Sequence, residues 1–352
     1  MIKTPTKFIA LLSGAAFLMS SAFAQGVTTV PVGYVTYDVA ANSDVKFGSP
    51  LERSTLLLDA AEAVVSGTIT TSVDASAATD GHYVQFTSGS LAGSWYQVST
   101  ADTSSITVAE DLTALGAVGG DAFKVVPFWT LGTLMSGFPG STNPSAPEAL
   151  VLVNDVTSEG LNPSSSASYW YYSGETGPPQ GFYDSDNPSA GVQDDLILAP
   201  NTFITVRNNG ISTASLVVAG SVPVDPISID VASFSASQND NLIFNPYAAA
   251  ITLGGSELNE DLNLGTTNPS DPNKDLILVY PAVASGQNPS SSASYWYYSG
   301  ETGPPQGFYD SDNPSAGVQD AITIPAGAAF VVRRGASSDA VVDWTAPLPY
   351  SL

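Results

Sequence analysis

The sequence predicts an all-β protein: two tandem units of β-sandwich or barrel type, the first carrying an inserted small β-barrel or meander. Three observations carry that expectation. Apolar segments are short, rich in Val, Ile, Thr and Tyr, and separated by clusters of Gly, Pro, Asn and Asp, with almost no helical periodicity. Residues 162–194 and 288–320 are the same 33 residues, NPSSSASYWYYSGETGPPQGFYDSDNPSAGVQD, at an offset of 126. A weaker match lies outside that identity: Val30-Pro31-Val32 and Asp38-Val39-Ala40 recur as Val222-Pro223-Val224 and Asp230-Val231-Ala232 at an offset of 192. The difference between the two offsets, 66 residues, must be extra in the first unit.

The chain opens with the pattern of a secretory signal peptide over residues 1–24. Lys3 and Lys7 supply the charged n-region, residues 8–19 the apolar stretch, and Ala22-Phe23-Ala24 the small-x-small cleavage site. The apolar run is about 12 residues where a span needs about 20, which argues against a transmembrane anchor. With no Cys, there is neither a lipidation site nor a disulfide framework. The protein is therefore expected to be secreted, with no membrane span.

Unit one is expected over 25–221 and unit two over 222–352. Strands are read at 27–39, 67–73, 83–87, 95–99, 105–108, 123–126, 203–206 and 329–332, and short helices at 129–135 and 246–253. Asn245-Pro246-Tyr247 looks like a shortened counterpart of Val126-Pro127-Phe128-Trp129, which places the insertion at about 62–127. Within it GTITTSV, GHYVQFTSG, GSWYQVST, SSITVAED and GGDAFKVVP read as about five strands of a barrel or meander.

In the identical segment, Ser168-Tyr169-Trp170-Tyr171-Tyr172 has strand propensity throughout. Tyr169 and Tyr171 share one face, Trp170 and Tyr172 the other. Aromatic residues on both faces describe a strand between two layers, followed by a long ordered loop rich in turn residues. Asn-Pro-Ser occurs six times, at Asn143, Asn162, Asn187, Asn268, Asn288 and Asn313. Proline blocks the glycosylation reading and leaves a turn, with Asn bonding amides ahead of it.

Two binding readings compete with packing. Tyr169, Trp170, Tyr171, Tyr172 and Tyr183, with Tyr295, Trp296, Tyr297, Tyr298 and Tyr309, hold the ingredients of a sugar-stacking platform, doubled for avidity. Asp184 and Asp186, with Asp310 and Asp312, offer alternating oxygens to calcium, the hard cation available outside the cell. As an EF-hand loop the match fails, because Pro188 and Ala190 replace donors and Ala321 ends the second copy. Packing and turn-capping aspartates are the preferred readings, so no cofactor is expected, with calcium the one alternative.

Catalysis finds little support. The single His82 lies in an alternating strand, with no GxSxG elbow, and no spacing singles out a carboxylate pair among 33 Asp and Glu. Without the leader, seven Lys and Arg stand against those 33 acids, a formal charge of −26. Such a charge excludes nucleic acid, whose phosphates need clustered cations, and fits solubility by self-repulsion. Disorder is excluded by 43% hydrophobic residues, among them 15 Tyr and 14 Phe.

The stretch Thr28-Thr29-Val30-Pro31-Val32-Gly33-Tyr34-Val35-Thr36 resembles the opening of a family of secreted, uncharacterised proteins common in verrucomicrobial-type bacteria. Gly93-Ser94-Trp95-Tyr96-Gln97-Val98, Gly120-Asp121-Ala122-Phe123-Lys124-Val125-Val126-Pro127 and Ile324-Pro325-Ala326-Gly327-Ala328-Ala329-Phe330-Val331-Val332-Arg333 continue it. The resemblance implies export and an all-β fold, and transfers no activity. The expected function is that of an exported, non-catalytic structural or surface-interaction protein of the cell envelope or extracellular matrix. The alternative is glycan binding through the duplicated aromatics, assisted by calcium, with polysaccharide or other matrix components as partners.

Overall fold

The computed structural model describes residues 31–143, 146–154, 159–281, 286–337 and 339–350. The signal-peptide expectation, the first residues of the strand read at 27–39 and the last two residues of unit two lie outside them. The described chain is an all-β structure, and none of its helices is long and apolar enough to cross a membrane.

Unit one begins with β1 (Val32–Val39) and β2 (Ser43–Phe47), and then leaves for an inserted sheet. That sheet holds β3 (Leu57–Ala60), β4 (Ala63–Val65), β5 (Thr68–Thr70), β6 (His82–Phe86), β7 (Trp95–Ala101), β8 (Ser105–Val108) and β9 (Ala122–Pro127), in the order β3-β9-β6-β7-β8-β5-β4. Its two edge strands are consecutive in the chain, with Ala61 and Glu62 between them. The sheet must therefore curl back on itself, and Ile69, Phe86, Val98, Ile106 and Phe123 fill the inside. The five strands read from sequence correspond to β5–β9. Two further strands, β3 and β4, are not among those read from the sequence.

The chain returns to unit one with β10 (Trp129–Thr130), α1 (Leu131–Leu134), β11 (Gly140–Ser141), β12 (Ala149–Asn154), β13 (Ser165–Tyr172), β14 (Gly181–Asp184), β15 (Ile197–Leu198), β16 (Ile204–Asn208) and β17 (Ala214–Ser221). Thr130 and Thr133 close a capping box on α1, satisfying its first amides. The main sheet runs β11-β13-β12-β16-β2, with β14 also on β13, while β1 and β17 form an antiparallel ribbon. Between them lies a core that includes Phe47, Leu131, Val151, Val206, Leu216 and Val218.

Unit two repeats this plan with β18 (Ile227–Ser233), β19 (Asn239–Phe244), β20 (Ile251–Thr252), α2 (Leu258–Asp261), β21 (Leu276–Val279), β22 (Ala293–Tyr298), β23 (Gly307–Asp310), β24 (Thr323–Ile324), β25 (Ala329–Arg334) and β26 (Ala340–Ala346). Its sheet is β19-β25-β21-β22-β23, and β18 with β26 forms the ribbon. Residues 246–253, read as a helix, are not one. Asn245 holds that stretch as a loop, accepting from the Tyr247 amide and donating to Ala249 O, and Ile251–Thr252 then pair with β24. Helical turns come later, at Gly254–Ser256 and α2.

Candidate functional site

Side chains alternate across a strand, so each central sheet has a second face. In β16, Ile204 and Val206 enter the core of unit one, while Thr205 and Arg207 face the other unit. In β25 the same alternation sends Phe330 and Val332 inward, and Val331 and Arg333 outward. The two outward faces border a cavity of about 880 Å³ between the units. That is within the size range of pockets that enclose small molecules.

Both copies of the identical segment build its walls. Asn162-Pro163-Ser164-Ser165 and Ser168 line it from unit one, and Asn288-Pro289-Ser290-Ser291 and Ser294 line it from unit two. Each segment also reaches across to the other unit. Asp44 of β2 is gripped by Arg207 through two bonds of 2.9 Å, and its Oδ2 accepts the Asn288 amide of the opposite unit at 2.7 Å. Arg207 donates in addition to Asn288 Oδ1 at 2.7 Å. Reciprocally, Asp240 of β19 is held by Arg333 at 2.6 and 2.9 Å and accepts the Asn162 amide at 2.8 Å. Asn162 and Asn288 both sit at φ 51°, a left-handed conformation that Asn tolerates better than most residues. Phe203 also crosses, packing among Leu242, Leu278 and Val331.

Lys46 lines the same space with no ion pair among the described residues, its Nζ 4.0 Å from the Tyr280 ring centroid of the opposite unit. Burial lowers its pKa, partly offset by the Asp44 charge. In the wall as well, the buried Asn154 Oδ1 has no hydrogen-bond partner among the described residues.

The aromatic residues singled out from sequence lie elsewhere, and they are packed. Tyr169 and Tyr171 turn into the core of unit one, Tyr295 and Tyr297 into that of unit two. On the other face Trp170, Tyr172 and Tyr183, with 4–6% exposure, pack at 5.7–6.5 Å, Tyr172 edge to face with the other two and Trp170 tilted by 31° on Tyr183. The loop 173–180 covers them: Tyr172 donates to Thr176 O and Tyr183 to Pro179 O. Trp296, Tyr298 and Tyr309 repeat the arrangement, donating to Thr302 O and Pro305 O. A sugar platform needs ring faces in water, and these faces are covered.

The aspartates also have local work. Asp184 Oδ1 accepts the amides of Asp186 and Asn187, and Asp310 Oδ1 those of Asp312 and Asn313, while Asp186 and Asp312 point to solvent. Amides aimed at the carboxylate are the arrangement of a capped turn. His82, half-buried, accepts the Thr79 amide on Nδ1 at 3.2 Å and lies 3.1 Å from the Thr79 hydroxyl, and burial lowers its pKa. Sequence reasoning missed the cavity altogether. Its one visible trace is that the 33-residue identity begins at Asn162 and Asn288, the residues that cross between units.

Compared with known proteins, the chain matches no family model, no curated protein and no solved structure.

Proposed function

We propose that this is an exported, non-catalytic protein of the cell envelope or extracellular matrix that acts by holding a ligand between its two units. The observation that supports this reading is the cavity walled by both copies of the identical segment. A binding role explains why identity is kept where the two copies converge, while the aromatic packing around them would tolerate other apolar residues of like volume. The carboxylates that line the cavity are engaged. Its two carboxylates, Asp44 and Asp240, are each committed to an arginine and to a backbone amide, so neither is free to move a proton.

The test is a thermal-shift screen of the mature chain against soluble polysaccharide fragments and matrix extracts, with product analysis of every hit. A ligand that raises the melting temperature and is recovered unchanged is the expected result. Turnover of a hit that is abolished by substituting one Asp or Glu would overturn the non-catalytic reading. No shift with any preparation would overturn the binding role.

A further inference from the structure

The two units are near copies, yet the cavity they enclose is not symmetric. Where the duplication aligns, Asp44 matches Asp240 and Arg207 matches Arg333, which builds the same clasp twice. Between the clasps the match fails. Lys46 faces the position of Leu242, Thr205 that of Val331, and Asn154 that of Tyr280. Register keeps these residues together: Lys46 pairs with Thr205 across β2 and β16, and Leu242 with Val331 across β19 and β25. At these three positions unit one is polar and cationic where unit two is apolar and aromatic, while Leu150, Leu152 and Phe203 add apolar surface from unit one.

The charge of the lining follows. Two arginines are neutralised by two aspartates, which among the described residues leaves Lys46 as the unpaired charge in the wall and a net single positive charge there, in a chain of formal charge −24. Tyr280 supports that ammonium through its ring face and supplies no counter-charge. A single carboxylate matches this arrangement. A dianion such as a phosphate monoester would need a second free cation, and both arginines are engaged bidentately. A fatty acid would bring a carboxylate but no partners for the serine hydroxyls from both segments or for the orphan Asn154 Oδ1.

We propose that the cavity between the units binds an acidic sugar, a uronic acid or short uronate oligomer. Lys46 takes its carboxylate, the Asn-Pro-Ser-Ser segments and Asn154 its hydroxyls, and the half-buried Leu276 and Tyr280 its C–H face. Hydroxyl groups both give and accept hydrogen bonds, as sugar hydroxyls do, so a wall of serines from two directions suits a polyol. This assignment rests on the binding role proposed above.

The experiment titrates the full mature chain calorimetrically with glucuronate and a galacturonate trimer, against glucose and maltotriose as neutral controls. Lys46→Leu installs the residue that the second unit has at the matching place, and Lys46→Arg keeps the charge. Circular dichroism and melting temperature verify that both variants fold. The wild type is expected to bind the acidic sugars at least tenfold more tightly than the neutral ones, Lys46→Leu to lose that preference, and Lys46→Arg to retain most of it. Equal affinity for acidic and neutral sugars, or uronate binding unchanged in Lys46→Leu, would overturn the assignment. So would the absence of uronate binding. If some other ligand still stabilises the protein in the thermal screen, the binding role survives and only the sugar class falls.

Discussion

Lys124 ties the inserted sheet to both units. It is buried in β9 of the inserted sheet, 2.7 Å from Glu52 of unit one and 3.0 Å from Asp225 of unit two. Burial pushes the Glu52 carboxyl above its ordinary value, with Lys124 opposing that shift. Lys124→Met should therefore cost about 3–5 kcal/mol at pH 7, since it leaves a buried carboxylate without its partner. A carboxyl whose folded pKa is raised costs stability as pH rises from its unfolded value through its folded one. The loss should thus shrink towards pH 4, where Glu52 takes up a proton, and urea denaturation at both pH values checks it; an equal loss at both would sink the argument. A second carboxylate follows the same rule. Asp230 lies opposite Asp343 in the β18–β26 ribbon, and burial, then the hydrogen bond and charge of Asp343, push it up to about 6. The folded state gains from the proton below about pH 4 and loses that gain as pH rises to 6. Asp230→Asn should make the protein more stable than wild type at pH 7, by roughly 0.5–1 kcal/mol on this solvated face, and indistinguishable at pH 4.

Elements were legible in the sequence where one strand's own pattern decides them. Tyr169 to Tyr172 read as a strand between two layers, and β13 is one, because an aromatic residue on each face leaves no face for water. The five strands of the insertion were legible for the same reason. The loop after β13 was not, because its fold depends on where Tyr172 points. Gly174 and Gly177 lie on that phenol, and a Cβ on Gly174 would stand 2.2 Å from its Oη; Gly300 meets Tyr298 at the same distance. These glycines are fixed by a ring two and five residues earlier, which no turn rule reports. Gly174→Ala should displace Tyr172 from Thr176 O and cost about 1–3 kcal/mol by overpacking, with near-ultraviolet circular dichroism showing the changed aromatic cluster. Gly300→Ala should cost the same within error, since the surroundings are duplicated; a tolerated alanine at either site would show that the loop yields. Nor was the cavity legible. Leu150-Val151-Leu152 alternates between a packed core and an open space, and both neighbours ask for apolar residues.

At the scale of the molecule, the two units meet as the halves of an isologous dimer do, each giving the other the same contact. The Asn162 amide closes on Asp240 and the Asn288 amide on Asp44. Further bonds reinforce each crossing: Gly160 N to Asn239 Oδ1 and Asp240 N to Gly160 O on one side, Asp44 N to Gly286 O on the other. Because these clasps come in a pair, losing one leaves the interface registered by its twin, whereas losing both leaves the backbone bonds of Gly160 and Gly286, Phe203, the Lys46–Tyr280 contact and the Phe47–Ala328 bridge, with Gly48 N on Gly327 O, to hold it. Asp44→Asn and Asp240→Asn should each lower stability by about 3–5 kcal/mol, as expected when one member of a buried pair is removed, with a single cooperative transition retained. The double variant should behave differently. Its units should unfold in separate steps, seen as a broadened urea transition with a reduced m-value. A single sharp transition with an unchanged m-value would mean that the units cohere through these remaining contacts or through the inserted sheet, where Ser228 N bonds Gly93 O and Gln85 bonds Pro226 O. Those last contacts join the insertion to the start of unit two. Separation of the units in the double variant should therefore open the cavity while the inserted sheet stays folded, which hydrogen exchange on β6 and β9 would resolve from exchange on β16 and β25.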